Sequence, residues 1–416
     1  MNLKYSIFIF LSVIFIYILS CFSYSELISV SYSYMGFENN FSSFKFILST
    51  ALVVLTGIYI SIMNDEFNRF ISLMLYLFVT VPNAVIFIFM DETELIFIWS
   101  MLTIPLTVFF MSILPVFKVH KIKDKNKKNI LWVFILILIV PVVYAYGFKV
   151  NFNAFLLKDI YEIRLNARGE NNVFSVYSYF ILAKVVCPMA LVYSLQQKDK
   201  ILGIVSLSIL AYLFMSTGHK SVYFSIFVVA IFSLGKCTIK NKVSMLILGS
   251  LFLLITSRLL TYFYDFDIFE SLFVRRLFYI PALLNIYFFE YFDDKSLYYS
   301  GSFMSWILDY PLDRVPAREI GYVYFGSEDM SANNGFISDG FANLGHFGVL
   351  LTLFITSWCY KFYKSYNVSV RYIGLIFLMF YAFQGSSIST ALITHGVLLL
   401  LIFISIFLSN SSVQEK

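Results

Sequence analysis

Residues 331–350 read SANNGFISDGFANLGHFGVL. Asn333, Asn334, Ser338, Asp339, Asn343 and His346 are set there among glycines 335, 340, 345 and 348, directly before a long apolar run. A carboxylate or an imidazole can take the proton of a hydroxyl. Side-chain amides offer both a donor and an acceptor to sugar hydroxyls, and Gly335 and Gly340 let a backbone come close to a ligand. Asn, Ser and Asp also serve as ordinary helix caps, but one cap uses one side chain. Six polar side chains at the threshold of an apolar segment read as one wall of a carbohydrate site.

Anion chemistry needs cations, and these stand elsewhere in the chain. In EIRLNARGE, Arg164 and Arg168 are four apart. On a helix they share one face, a spacing that suits a pyrophosphate gripped through parallel hydrogen bonds. The alternative is a pair of ordinary interfacial arginines. Further on, the segment 264–340 carries twelve acidic and five basic residues, the latter including Arg275, Arg276, Arg314 and Arg318. That balance excludes a generally anion-attracting surface, so a phosphate there would be held by individual cations. Adjacent helical residues diverge, so one of Arg275 and Arg276 reaches a ligand.

The same segment holds nine tyrosines and Trp306. Such rings stack on sugar faces, and they also populate membrane interfaces for structural reasons. Asp265 and Asp267 (DFD), like Asp293 and Asp294, have the spacing of a metal-holding pair; acids that simply stay in water beyond a helix end look the same. No metal or cofactor is assigned. Of the four histidines, His120 lies in a lysine-rich stretch, while His219, His346 and His395 lie in TGHKS, LGHFG and ITHGV. HExxH, GxSxG and Walker patterns are absent from the sequence, which argues against a hydrolase or an NTPase.

The elements that must position these residues are membrane helices. The chain is 60% hydrophobic and 13% charged, with a mean hydropathy of +0.81, against about 45–50% and about 25% in soluble proteins. The expected fold is all-α, a single polytopic membrane domain over 1–416. Twelve helices are predicted near 5–22, 46–63, 70–90, 95–117, 130–147, 174–195, 201–217, 222–235, 243–263, 341–360, 373–391 and 392–409. The N-terminal run reads as an uncleaved first helix rather than a signal peptide. Cys21, Cys187, Cys237 and Cys359 are scattered singly and imply neither a disulfide framework nor a metal site.

Orientation follows from lysine and arginine. KVHKIKDKNKK (118–128) holds six lysines against one aspartate, and QQKDK, KCTIKNK and KFYKSYNVSVR fall on the same side. Both termini are then cytoplasmic, leaving 148–173 and 264–340 as the two long outer segments. Within the second, 268–292 is apolar enough to lie along or dip into the interface. Inside the predicted spans there is no Asp or Glu, yet Lys184 and Arg258 are there. Without a visible ionic partner, each is either a snorkelling side chain or part of a cavity for an anionic ligand.

This pattern resembles the bacterial O-antigen polymerases, the oligosaccharide repeat-unit polymerases. The resemblance rests on the helix count, a modest arginine-bearing outer segment mid-chain and one large outer segment late. Its most specific part is NNGFISDGFANLGHFGVLL (333–351), similar to the family's run into the helix after its large loop. STGHKS (216–221) stands where relatives place a Gly-Arg/Lys-Ser/Thr turn; here His219–Lys220 occupies it.

The resemblance implies a metal-independent glycosyltransferase of the inner membrane. A growing glycan on undecaprenyl pyrophosphate would pass to the non-reducing end of a lipid-linked repeat unit at the periplasmic face, in O-antigen and lipopolysaccharide biosynthesis. It implies Arg164 and Arg168, with Arg275 or Arg276, as pyrophosphate-binding residues, and Asp339 or His346 as general base or acceptor-orienting group. Asn333, Asn334, Gly335 and Trp306 would line the sugar. The implied partners are the lipid-linked oligosaccharide, membrane lipid and a chain-length regulator protein, with no nucleic acid. An O-antigen ligase shares the topology and donor; a flippase or exporter, or a non-catalytic assembly protein, are the readings from other classes.

Overall fold

Long runs of Leu, Ile and Phe leave the backbone no partner but itself once water is excluded, and helices are the local answer. Several begin where a short polar side chain takes up an orphaned N–H. Ser42 accepts from Lys45, Asp65 from Asn68, Asn172 from Ser175, Asp199 from Leu202 and Thr238 from Asn241. Gly218, at φ +65°, ends one helix in the left-handed turn that glycine takes without strain.

The computed structural model describes residues 3–115, 124–148, 151, 154, 160–170, 172–235 and 238–408, without the side chains of 124, 125, 160, 161, 165, 166, 168, 220 and 221. Among the described residues the chain is all-α, and eleven helices are long and apolar enough to cross a membrane. It is a polytopic membrane protein. Ten of the eleven match predicted spans. Two other predicted spans are present as the shorter apolar helices Val222–Ser233 and Val370–Gln384. The eleventh, Glu270–Tyr291, falls inside the segment read as one large loop. Glu270, Arg275 and Arg276 near its start dilute an otherwise apolar run.

The fold divides into two compact units, a division the composition gives no sign of, since both are built from the same kind of helix. Unit 1 comprises Met1–Leu114, Thr238–Tyr360 and Phe383–Ile388; unit 2 comprises Pro115–Cys237, Lys361–Ala382 and Ser389–Lys416.

Unit 1 is organised round the span Glu66–Phe89, which is buried throughout from Arg69 to Phe89. Leu3–Ser31 packs against Ser43–Ile62 and Ile239–Tyr264. Tyr17 is tied to Ser49 at 3.0 Å, and Tyr76 donates to the Val13 carbonyl at 2.8 Å. At one end Tyr5 donates to the Lys240 carbonyl, and Glu66 meets Arg69 at 2.6 Å and Lys240 at 3.9 Å. At the other, Tyr24 donates to the Glu38 carbonyl, Asn40 to that of Phe89, and Lys45 meets Glu94 at 3.0 Å. Helix Glu270–Tyr291 belongs to this second end: Arg275 and Tyr287 both reach Met35, and Glu270 meets Thr261. It dips as far as Ser20 and Phe78, through Tyr279 and Phe278. The helix therefore lies across that end of the unit.

Unit 2 packs Asn126–Tyr146 on the span Val173–Gln197, and that span on Lys200–Thr217. Lys128 and Asp199 meet at 2.6 Å, and the short helix Ile160–Gly169 lies against Lys200–Thr217.

Candidate functional site

The helical stretch Phe336–Ser365 is not one rod. Leu344 and Gly345 leave helical geometry, Gly345 at φ +57° and ψ −142°. A Cβ placed on Gly340 would stand 2.5 Å from the Gly348 carbonyl oxygen. On a straight helix residues eight apart are separated by about 12 Å. Residues 336–343 thus fold back on the start of the longer helix, backbone against backbone, as only glycines allow. Gly335 is similar: its Cβ would lie 2.4 Å from the Gln384 carbonyl oxygen. The close approach expected of Gly335 and Gly340 is therefore to the protein's own chain, because both sit where two main chains touch.

Folding back strips the last carbonyls of 336–343 of helical partners, and the large segment supplies them. Leu297 donates to the Ala342 carbonyl at 3.0 Å, Tyr298 to that of Asn343 at 2.9 Å, and the Tyr299 N–H to Asn343 Oδ1 at 2.8 Å. To do so Tyr298 and Tyr299 adopt φ +50° and +57°, a region bulky residues rarely enter.

Asp339 sits one turn before Asn343. Its Oδ1 accepts from Asn343 Nδ2 at 3.2 Å, and its Oδ2 from the Ile388 N–H at 2.8 Å. The half-buried carboxylate thus caps the helix starting at Ile388, and each oxygen keeps lone pairs for another donor.

His346 is exposed, and its Nδ1 accepts from Trp99 Nε1 at 3.0 Å. An indole N–H only donates, so Nδ1 is the bare nitrogen and Nε2 carries the proton. In that tautomer the free nitrogen gives a hydrogen bond and cannot take one. Of the two expected catalytic groups, Asp339 alone is in a form to receive a proton.

Asn333 is exposed, with its Oδ1 accepting from Ser331 at 3.0 Å. Asn334 turns inward: Nδ2 donates to Asn285 Oδ1 at 2.9 Å and to Ser338 Oγ at 2.7 Å, and Asn285 continues to Asn83. Beside it lies a cavity of about 10 Å³, room for one water and not for a sugar. Asn334, expected at the sugar, has both its donors used inside the protein. Trp306 is 81% exposed.

Arg275 is buried, 4.0 Å from the Tyr32 ring centroid, and donates to Ser271 at 2.8 Å. Arg276 has no hydrogen bond or ion pair among the described residues, and its Nε is buried without a partner. Arg258 is paired with Glu26, a partner hidden from the sequence reading because the first helix runs on to Ser31. Asp265 and Asp267 follow that arginine's helix; among the described residues no three His, Cys, Asp or Glu gather round one point.

Arg164 and Arg168 belong to unit 2 and are described with it. Both Arg164 Nε and Nη2 donate to the Gly218 carbonyl, at 3.3 and 3.2 Å, so the guanidinium closes the end of Lys200–Thr217. The side chain of Arg168 lies outside the described residues. His219 and His395 both pack on Phe180, at 6.1 and 4.9 Å between centroids, and Lys184 Nζ is 5.1 Å from the same ring. A cavity of about 300 Å³ beside Ile160–Gly169 is lined by Tyr146, Asn151, Glu170 and Ser216 among others. It is of ligand size, with no cation among the described residues that line it.

No family model matches this chain, and no curated protein or solved structure does either. Four residues of the site escape a sequence reading. Asn83 and Asn285 carry a signal, a lone amide inside an apolar run. Tyr299 carries none, being one of many tyrosines in its segment. Trp99 is likewise indistinguishable from an interfacial anchor.

Proposed function

We propose that the chain is a glycosyltransferase that polymerises lipid-linked oligosaccharide repeat units at the outer face of the bacterial inner membrane, using a polyprenyl-pyrophosphate donor. The observation that carries this reading is the broken hairpin at 336–346. It holds a carboxylate with free lone pairs and an imidazole N–H donor at one end of unit 1, the end crossed by the helix bearing the unpaired Arg276.

In this reading Asp339 takes the proton of an acceptor hydroxyl as its oxygen attacks the anomeric carbon of the donor sugar. The bond to pyrophosphate breaks with its electron pair, and Arg276 neutralises the charge that develops. His346, held by Trp99, donates from Nε2 to the acceptor. The lysine-rich segments face the cytoplasm by the positive-inside rule, which puts the hairpin end outside.

A polysaccharide gel on a deletion strain tests this. The ladder collapses to core plus one repeat unit without the gene, returns with wild type, and does not return with Asp339→Asn at equal membrane level. Loss of even the single-repeat band in the deletion strain would instead assign a ligase or a flippase.

A further inference from the structure

Tyr299 is held in an unfavourable backbone conformation one amide away from Asp339, and its hydroxyl is used by nothing among the described residues. The residue is 5% exposed. Its ring stacks on Phe303 at 4.8 Å between centroids, and its hydroxyl is buried with no hydrogen-bond partner among the described residues. Leaving a buried hydroxyl unpaired is unfavourable, and so is a left-handed tyrosine. The segment keeps both, and anchors them with three N–H groups that donate to the Ala342 carbonyl, the Asn343 carbonyl and Asn343 Oδ1.

One amide ties this tyrosine to the carboxylate: Asn343 Oδ1 accepts from the Tyr299 N–H while Asn343 Nδ2 donates to Asp339. Burial, and behind it the negative charge of Asp339, push the Tyr299 phenol above its ordinary value, so at neutral pH it is a hydrogen-bond donor. A carboxylate that accepts and a phenol that donates, on two residues held by the one amide of Asn343, match two neighbouring hydroxyls on one sugar ring.

We infer that Tyr299 and Asp339 form an acceptor subsite for a vicinal diol, Asp339 engaging the hydroxyl that reacts and Tyr299 donating to the hydroxyl beside it. Tyr299 is then a residue of acceptor recognition, and the inference rests on the transferase reading above.

The test uses full-length protein in detergent and lipid-linked repeat unit extracted from the deletion strain. Binding is measured on Asp339→Asn and on Asp339→Asn/Tyr299→Phe, so that turnover plays no part. The expected result is roughly tenfold weaker binding for the double variant, the size of one lost neutral hydrogen bond. In the otherwise wild-type protein, Tyr299→Phe raises KM by a similar factor and leaves kcat within about twofold. Its melting temperature is unchanged or higher, because the hydroxyl removed has no partner in the protein.

Equal binding by the two variants overturns the subsite and leaves the transferase reading intact. A melting temperature several degrees lower for Tyr299→Phe also overturns it, since the hydroxyl is then structural. Absence of binding to wild-type protein overturns the transferase reading, and the subsite with it.

Discussion

At the scale of residues, the candidate site separates side chains that have spare bonding capacity from those that do not. Asp339 has lone pairs left and His346 has its one acceptor nitrogen occupied by Trp99. Their substitutions should therefore differ. On the proposed function, Asp339→Asn lowers polymerisation by about 100-fold or more, the scale of general-base catalysis. His346→Gln and Trp99→Phe each lower it by roughly tenfold or less, the scale of one hydrogen bond. The double variant is no worse than either single one, as quantitative gels at matched membrane levels would read; additive losses would dissociate the pair. The two asparagines, expected together at the sugar, should differ in their effect on stability. Asn334→Ala takes one hydrogen bond from each of Asn285 and Ser338, which keep each other, and destabilises by about 0.5–1.5 kcal/mol, seen as a lower melting temperature in detergent. Asn333→Ala, at the surface, leaves the melting temperature unchanged.

At the scale of elements, the hairpin is built by glycines with distinct tasks. Gly345 stands at φ +57°, ψ −142°, where a Cβ is strained, so Gly345→Ala costs about 1–3 kcal/mol. Gly340 faces the Gly348 backbone, and Gly340→Val forces the two helices apart, with a cost of about 3 kcal/mol or more. Both variants are expected to lose polymer, and Gly340→Val to lose membrane-inserted protein as well, which a blot would report. Wild-type behaviour of Gly340→Val would mean that 336–343 does not fold back. Helix Glu270–Tyr291 fastens the large segment to the same place: Tyr287 stacks on Tyr324, Phe289 on Phe341, and Tyr291 donates to Glu319. Its length permits crossing; its contacts tie it to one end.

At the scale of the whole molecule, that distinction sets the topology. With Cys21, Cys187, Cys237 and Cys359 replaced, single cysteines at the exposed positions Asp294 and Trp306 should react with a membrane-impermeant maleimide from the periplasm. A cysteine at Lys123, in the lysine-rich segment, should react only after the membrane is opened. If Asp294→Cys instead behaves like Lys123→Cys, Glu270–Tyr291 crosses the membrane and the hairpin's side must be reassigned.

The sequence by itself determined that this is an all-α polytopic membrane protein, where most spans lie, and that 331–350 is exceptional. Hydropathy and glycine placement are local properties, written residue by residue. What only the tertiary structure decided is which polar groups are already spoken for. Asn334 is consumed by Asn285 and Ser338, Arg164 by the end of a helix, Arg258 by Glu26, and one nitrogen of His346 by Trp99. Each of these partners is far away in sequence or lies beyond a predicted helix end. Hydrogen bonding between them is set by close packing in three dimensions, which no window along the chain contains. Among the described residues, the unused hydroxyl of Tyr299 and the free cation of Arg276 emerge by that same accounting.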